Sequence, residues 1–168
     1  NRFALCSERR TSVPTSQDAI LLFDYIGNSN LGGTIPDSDF TSYDVTLSPT
    51  PANNQGLEGI SYDPERNVFY GISEGPSNPW GLYKITLGEN PATLLFSSSS
   101  TSVSTWPSKP TEVSDVYYDP NSKHLFITDH SSSKAPNASY SKVWECDLDG
   151  NLINVRSLVD SFGEHYNQ

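Results

Sequence analysis

Asp129 and His130 are neighbours that bring together a carboxylate and an imidazole, two groups commonly used in general acid–base catalysis. Glu74 stands at the end of a similar apolar run earlier in the chain. Adjacent strand residues point to opposite sides of a sheet, so Asp129 and His130 are not expected to form a catalytic dyad. Polar residues at strand ends lie where loops over a rigid scaffold carry function. We therefore interpret Glu74, Asp129 and His130 as a face that meets a ligand or a partner.

Several signatures of catalysis and of nucleotide or metal binding are missing from the sequence. It has no H-E-x-x-H motif, no P-loop and no G-x-G-x-x-G motif. The lack of any C-x-x-C pair argues against a structural zinc site. Serine-rich runs supply many hydroxyl groups, but without a neighbouring base they are typical of loops. No catalytic residue is assigned from the sequence.

The cysteines and one glycosylation pattern bear on the cellular compartment. Cys6 and Cys146 are the two cysteines, and either one disulfide or two separate free thiols fits their number. Asn137 begins an N-glycosylation pattern within the polar run HSSSKAPNASYS, which is typical of an exposed loop. A glycan at Asn137 favours a secreted or extracytoplasmic protein, with an organellar lumen as the alternative.

Charge and hydropathy exclude some classes of partner. The chain has 168 residues and a net charge of −10, and such an acidic surface repels nucleic acids and anionic membranes. It contains no apolar run long enough for a transmembrane segment. The expected partner is a protein, a small molecule or an ion. Residue 1 is Asn and the chain lacks Met, which predicts that a preceding segment has been removed or left out.

The elements that position these residues repeat along the chain. The tripeptide Tyr62-Asp63-Pro64 returns as Tyr118-Asp119-Pro120, so position 62 corresponds to position 118 at a spacing of 56 residues. A catalytic motif has no reason to recur in this way, whereas a turn in a structural repeat does. Proline fixes φ, and an aspartate carboxylate accepts hydrogen bonds from the amides that follow it. Each tripeptide is therefore predicted to form the turn between the first two strands of a unit.

Each unit is predicted to contain four antiparallel strands. They are expected at residues 57–62, 68–73, 80–87 and 92–96, and again at 113–118, 124–129, 142–148 and 151–159. Residues 20–25 and 43–47 are predicted strands of a partial earlier unit, and residues 1–18 an irregular lead-in to a domain that covers 19–168. The serine-rich insert 97–102 is expected to be a solvent loop between units. Trp80 and Trp144 are expected to pack between neighbouring units.

Repeated four-stranded antiparallel sheets are typical of a β-propeller. One such sheet cannot bury both of its faces, so it needs neighbours stacked around an axis. We predict an all-β propeller with about two complete four-stranded blades plus part of another. This is too few blades to close a ring. The natural chain is therefore expected to continue beyond residue 168, or to be one subunit of a larger assembly that covers its open edges.

Two longer phrases resemble successive blades of the SdiA-regulated propeller family. They are GLEGISYDPERNVFYGISE followed by WGLYKITL, and EVSDVYYDPNSKHLFITDHSSSK followed by VWECDLDGNLI. The resemblance covers about residues 54–160 and extends to phytase-like esterase domains, regucalcin-type gluconolactonases and NHL-repeat propellers. It implies a six-bladed parent, an extracytoplasmic location and bound Ca²⁺. On this resemblance Glu58 matches a Ca²⁺ ligand at the central channel, and Asp115, one residue out of register with it, is the second candidate metal ligand.

Two functions from different classes follow. The first is a non-enzymatic secreted or lumenal propeller that acts as a binding or assembly module, with Ca²⁺ in its central channel. The second is a metal-dependent propeller hydrolase of the phytase-like, lactonase or phosphotriesterase type, whose channel metal activates water. The regular repeat, the acidic charge and the glycosylation pattern favour the first. Glu58 and the family neighbourhood support the second.

Overall fold

The computed structural model describes residues 2–7, 18–24, 39–49, 56–74, 79–129 and 142–157, which form three antiparallel sheets. The first sheet has the order β1 (Arg2–Ser7), β2 (Asp18–Asp24), β3 (Phe40–Val45). The second has the order β4 (Leu57–Asp63), β5 (Val68–Ser73), β6 (Gly81–Ile85), β7 (Thr93–Ser97). The third contains β8 (Val113–Asp119), β9 (His124–Asp129), β10 (Lys142–Cys146) and β11 (Leu152–Ser157), again as successive neighbours.

The three sheets are blades of an incomplete β-propeller, as the repeat predicts. Two have four strands, and β5 and β9 have the predicted bounds. The first strands of the blades lie side by side, because β4 contacts both β1 and β8. No helix among the described residues is both long and apolar enough to cross a membrane.

The prediction of an irregular lead-in over residues 1–18 was wrong for its first part. Arg2–Ser7 forms β1, which pairs with β2 in a continuous antiparallel register from Arg2–Asp24 to Ser7–Ala19. Its side chains alternate as a strand requires: Ala4 and Cys6 pack toward the second sheet, while Phe3 and Leu5 are exposed on the other side. The lead-in thus supplies the first strand of the partial blade.

Within the described ranges, two hydrophobic cores join the three sheets. One lies between the first and second sheets and includes Ile20, Leu57 and Ile85. The other lies between the second and third sheets, where the rings of Tyr70 and Tyr118 are 5.0 Å apart. Apolar surface of this kind contributes about 25 cal/mol for each Å² removed from water. Each blade is therefore stabilised mainly through its neighbours, as expected for a repeat architecture.

The serine-rich insert 97–102 is half-buried or exposed, and a buried turn follows it directly. Its last two residues begin the single-turn helix α1 (Thr101–Ser104), and the Val103 side chain on this turn, just beyond the insert, is fully buried between the second and third sheets. Trp106 follows in the same core and donates its indole N–H to the Gly150 carbonyl at 3.0 Å. Val103 and Trp106, which follow the insert, therefore hold its end at the junction between the two blades.

Trp80 and Trp144 pack between the second and third sheets, as predicted. Both are almost completely buried, and their indole N–H groups donate to the Pro110 and Ser108 carbonyls at 3.1 Å. A buried indole N–H needs such a partner. The two tryptophans therefore also fix the linker that connects the second blade to the third.

The repeated tripeptides form the predicted turns. The Asp63 carboxylate accepts hydrogen bonds from the Glu65 and Arg66 amides at 3.0 and 3.2 Å. The Asp119 carboxylate accepts from the Asn121 and Ser122 amides at 3.1 and 3.2 Å. Each turn ends with a residue of positive φ at the matching position, Asn67 at 53° and Lys123 at 62°. The repeat is therefore structural.

Candidate functional site

The first strands of the second and third blades carry matching β-bulges near the propeller axis. One bulge is at Glu58, where the β4–β5 register shifts, and the other is at Ser114, where the β8–β9 register shifts. Bulges redirect side chains and are frequent beside functional sites. The repeat thus places Ser114, not Asp115, at the position equivalent to Glu58. The Ser114 hydroxyl lies 3.0 Å from the Thr128 hydroxyl.

Asp115 occupies space that Gly59 leaves open on the neighbouring strand. A Cβ atom at Gly59 would lie 2.8 Å from the Asp115 Cα and closer still to its carboxylate. Only glycine therefore lets β4 and β8 approach this closely. Asp115 is exposed, but partial desolvation of its carboxyl group raises the pKa of that group, and this outweighs the hydrogen bond from the Val116 amide, which lowers it.

Cys6 on β1 lies near the same carboxylates. Burial, with smaller contributions from the negative charges of Asp115, Glu58 and Asp18, raises the pKa of its thiol to about 11. Cys146 is buried in the third sheet, and desolvation raises the pKa of its thiol to about 12. Both thiols are free, so the disulfide alternative is not formed. The physical reason is that the cysteines belong to different cores, Cys6 beside the first and second sheets and Cys146 between the second and third.

Glu58 and Asp115, the predicted metal ligands, would have to supply part of the oxygen shell that Ca²⁺ requires. Ca²⁺ takes about six to eight oxygen ligands. Among the residues that the structure describes, no three histidine, cysteine or acidic side chains form a group that could hold a metal ion. One Asp115 oxygen already accepts the Val116 amide at 2.8 Å. Glu58 and Asp115 do not fit a Ca²⁺ site by themselves, and no metal-dependent step is derived from them.

The structure does not bring the residues of the predicted ligand face, Glu74, Asp129 and His130, together at one described site. Asp129 ends β9, is buried, and accepts a hydrogen bond from the Thr111 amide at 3.3 Å, so it holds the linker before β8 in place. Glu74 follows β5 and lines a cleft with Trp80 and Tyr83. His130 and Asn137 lie outside the described residues, so their assigned roles stay predictions.

Sequence reasoning missed a G-x-S-x-G match at Gly71–Gly75, which reads GISEG. In hydrolases this motif is a strand-to-helix turn that exposes its serine. Here Ser73 ends β5, pairs with Leu57 and Gly81 in an antiparallel sheet, and is 2% exposed. The pattern is therefore part of a blade strand and not a nucleophile elbow.

The third blade packs one face on the second blade, and no sheet of the described residues covers its other face. On the open face Tyr117 is 58% exposed, and its ring lies 6.3 Å from that of Phe126. Phe126, Val143, Glu145, Asn154 and Arg156 line a groove of about 300 Å³ there. We call these residues, with Tyr117, the third-sheet face. Because the two blades repeat the same strand pairing, each of these residues has an equivalent position on the second blade.

The strand registers give that correspondence residue by residue. Phe126 pairs with Glu145 as Tyr70 pairs with Lys84, and Val143 pairs with Thr128 as Leu82 pairs with Ile72. Tyr70, Ile72 and Leu82 are at most 1% exposed, because the third blade covers them. The third-sheet face is thus the equivalent of a buried blade interface.

The first blade has a side that faces away from the second blade, and no described sheet packs on it. Phe3 and Leu5 are 45% and 50% exposed there. The rings of Phe3 and Phe23 stack at 5.5 Å, and those of Phe23 and Phe40 lie 5.3 Å apart, so an aromatic row crosses all three strands. We call Phe3, Leu5, Phe23 and Phe40 the first-sheet face. Large exposed apolar patches usually mark interaction sites.

Comparison with known proteins identifies a family and a structural likeness. A family model described as SdiA-regulated matches residues 1–167. No curated protein matches the chain. A solved structure titled "Structure of Dos1 propeller" is similar at a TM-score of 0.44 and 8% identity, over 95% of this chain and 38% of that one. The chain therefore spans well under half of the length of that structure.

Proposed function

The chain belongs to the SdiA-regulated family, and we propose that it is a non-enzymatic binding and assembly module of the propeller type, acting in a secreted or lumenal setting. The third-sheet face carries this proposal. It repeats the positions by which the second blade binds the third, yet Tyr117 on it is 58% exposed. Its occupant is the apolar face of another propeller sheet.

Continuity with the existing blade interface supports that choice of occupant. The second blade is covered by apolar side chains of the third, among them Val116, Leu125 and Ile127. Equivalent positions on the third blade are suited to a sheet of the same kind. The face also carries charge: His124 Nδ1 lies 2.8 Å from Glu145 Oε1, and Arg156 is exposed beside them. Such groups set the register of an interface more than its strength.

The first-sheet face provides the complementary surface. It is apolar and aromatic, and it lies on the opposite side of the three-blade stack from the third-sheet face. One molecule therefore presents both halves of a blade interface. When no other sheet is present, a second copy is the available occupant, and the copies are expected to dock head to tail. This makes self-association a direct probe of the faces.

Leu5→Lys is expected to weaken self-association at least about tenfold, because it places a charge in the first-sheet face. Light scattering over a dilution series measures the change. Tyr62→Lys is the control, since Tyr62 is an exposed side chain of the middle blade, outside both faces. Equal weakening by the two variants would point to a general charge effect and contradict the proposed role of the first-sheet face.

The compartment is tested by intact mass before and after enzymatic removal of N-glycans. A protein of the secretory pathway is expected to lose mass on this treatment, and Asn137→Gln is expected to abolish the loss. An unchanged mass for the protein from its natural source would remove the glycan argument for secretion. It would leave the assembly proposal intact, because that proposal rests on the sheet faces.

Ca²⁺ binding stays a prediction from the family resemblance. Thermal unfolding in Ca²⁺ and in EDTA tests it, since an ion that binds only the folded state raises the Tm. An increase that Glu58→Gln abolishes would support a Ca²⁺-bound module. An equal Tm in both solutions would remove Ca²⁺ from the proposal.

A further inference from the structure

A cleft of about 220 Å³ opens at one end of the second blade. Its walls come from the end of β5, the start of β6 and the strand β7, and they include Trp80, Tyr83 and Leu94. It is smaller than the ligand pockets of most proteins, which measure about 300 Å³ or more. A ligand that fills it must be narrow, of the size of one long side chain.

Glu74 supplies the charge at this cleft. It is half-buried, and its carboxylate makes no hydrogen bond or ion pair with any other residue within the described ranges. The hydroxyls of Ser97 and Ser99, on another part of the wall, are 2.9 Å apart and already bonded to one another. A partly desolvated carboxylate gains most from a cation that brings its own hydrogen-bond donors.

The other walls are apolar or aromatic. Trp80 and Tyr83 are only 2% and 3% exposed, and the Trp80 ring is flanked by Phe96 and Trp106 at 6.2 and 6.0 Å. So little exposed surface offers no broad open ring face on which a sugar would stack, which disfavours a carbohydrate. Leu94, at 37% exposure, adds an aliphatic surface. These walls suit a chain of methylene groups.

We propose that this cleft binds an alkylammonium group, with its methylenes against Leu94, Tyr83 and Pro79 and its charged end on the Glu74 carboxylate. A lysine side chain has this shape, since its apolar stem lies along apolar surface while its ammonium group reaches a polar partner. The net charge of −10 also favours the approach of a basic partner over an acidic one. The cleft is separate from both sheet faces, so this inference does not depend on the assembly proposal.

The test is a titration of the ¹⁵N-labelled chain with n-butylamine at neutral pH, followed through the Trp80 indole N–H signal. Butylammonium is expected to shift that signal with a dissociation constant on the order of millimolar, as fits so small a ligand. Uncharged n-butanol is expected to bind at least about tenfold more weakly. Similar binding of the alcohol and the amine would overturn the role of the charge.

Two isosteric variants locate the charge. Glu74→Gln is expected to weaken butylammonium binding about tenfold or more. Glu89→Gln, on an exposed turn of the same blade, is expected to leave it unchanged. Equal binding by wild type and Glu74→Gln, or no shift at Trp80 in the wild type, would refute the site. The ¹⁵N spectra of both variants report whether they are folded.

A second titration, with a lysine peptide, distinguishes the two sources of an alkylammonium group, a lysine side chain and a free alkylamine. Binding of both n-butylamine and N-acetyl-glycyl-lysyl-glycine amide would assign the cleft to a lysine side chain of a partner protein. Binding of the amine alone would assign it to a free alkylamine. Either result supports an alkylammonium site.

Discussion

Asp63→Ala is expected to destabilise the protein by roughly 2–3 kcal/mol, because it removes a buried charged acceptor of several hydrogen bonds. Besides two backbone amides, Asp63 Oδ2 accepts from Arg66 Nη1 at 2.8 Å and from the Tyr70 hydroxyl at 3.2 Å. Arg66 Nη1 also donates to the Tyr118 hydroxyl of the third blade at 3.0 Å. The carboxylate therefore holds both its own turn and a contact between blades.

Asp119→Ala provides the matched control, because it removes the same residue from the equivalent turn. Asp119 is bonded within its own turn, to Asn121 and Ser122. We expect a clearly smaller loss of stability for this variant. Urea unfolding followed by circular dichroism measures both. Equal losses would show that the inter-blade bonds of Asp63 add nothing to the turn.

The pH dependence follows from the pKa of Asp63. Burial acts to raise this pKa, but hydrogen bonds from the Arg66 side chain and from the amides of Arg66 and Glu65 outweigh it, and the pKa is lowered. A lowered pKa in the folded state gives stability that is present above the unfolded value, about 3.9, and lost as the pH falls through the folded value. The difference between wild type and Asp63→Ala should therefore shrink below about pH 4.

Trp144→Ala is expected to cost about 3–5 kcal/mol, as large-to-small changes of buried aromatic residues do. Trp144 is 1% exposed within the core between the second and third blades. The change leaves a cavity and also removes the donor to the Ser108 carbonyl. Because a blade depends on its neighbour, we expect the second and third blades to unfold together.

Two further variants show how much of the loss of stability in Trp144→Ala comes from the cavity, from the lost hydrogen bond and from the burial of the site. Trp144→Phe keeps an aromatic ring but loses the donor, so it is expected to cost less than the alanine variant. Ile153→Ala, on the neighbouring strand, removes a side chain that is 48% exposed and is expected to have little effect. Chemical denaturation measures all three. A small loss for Trp144→Ala would contradict a continuous core between these blades.

The repeat made most of the fold predictable. The two tripeptide turns and the alternating strands around them, including β5 and β9, are local features that the sequence shows directly. The strand β1 was missed because no tight-turn pattern links it to its partner β2, from which residues 8–17 separate it in the sequence. A single short strand without such a turn has no distinctive sequence pattern. The buried turn after the serine-rich insert was not predicted, because Val103 is buried by tertiary contact and stands in no local pattern.

The candidate site was less predictable for a physical reason. A spacing of 56 residues aligns Glu58 with Ser114, but only the structure shows that Asp115 fills the space beside Gly59. Glu74 was singled out from its place at a strand end, whereas the cleft beside it depends on Leu94 and Tyr83 from other strands. The two sheet faces depend on which sides of the blades have no neighbouring sheet in the described part of the chain. No short sequence pattern records that.

The most direct test of the assembly proposal is the mass of the 168-residue chain in solution, by sedimentation over a concentration series, for wild type, Tyr117→Lys and Tyr62→Lys. Tyr117 lies on the third-sheet face and Tyr62 does not, while both are exposed tyrosines at 58% and 44%. We predict a wild-type mass that rises above 18.5 kDa with concentration, a shift toward the monomer for Tyr117→Lys, and wild-type behaviour for Tyr62→Lys. A wild-type mass of 18.5 kDa at every concentration, or equal behaviour of the two variants, would contradict the proposal.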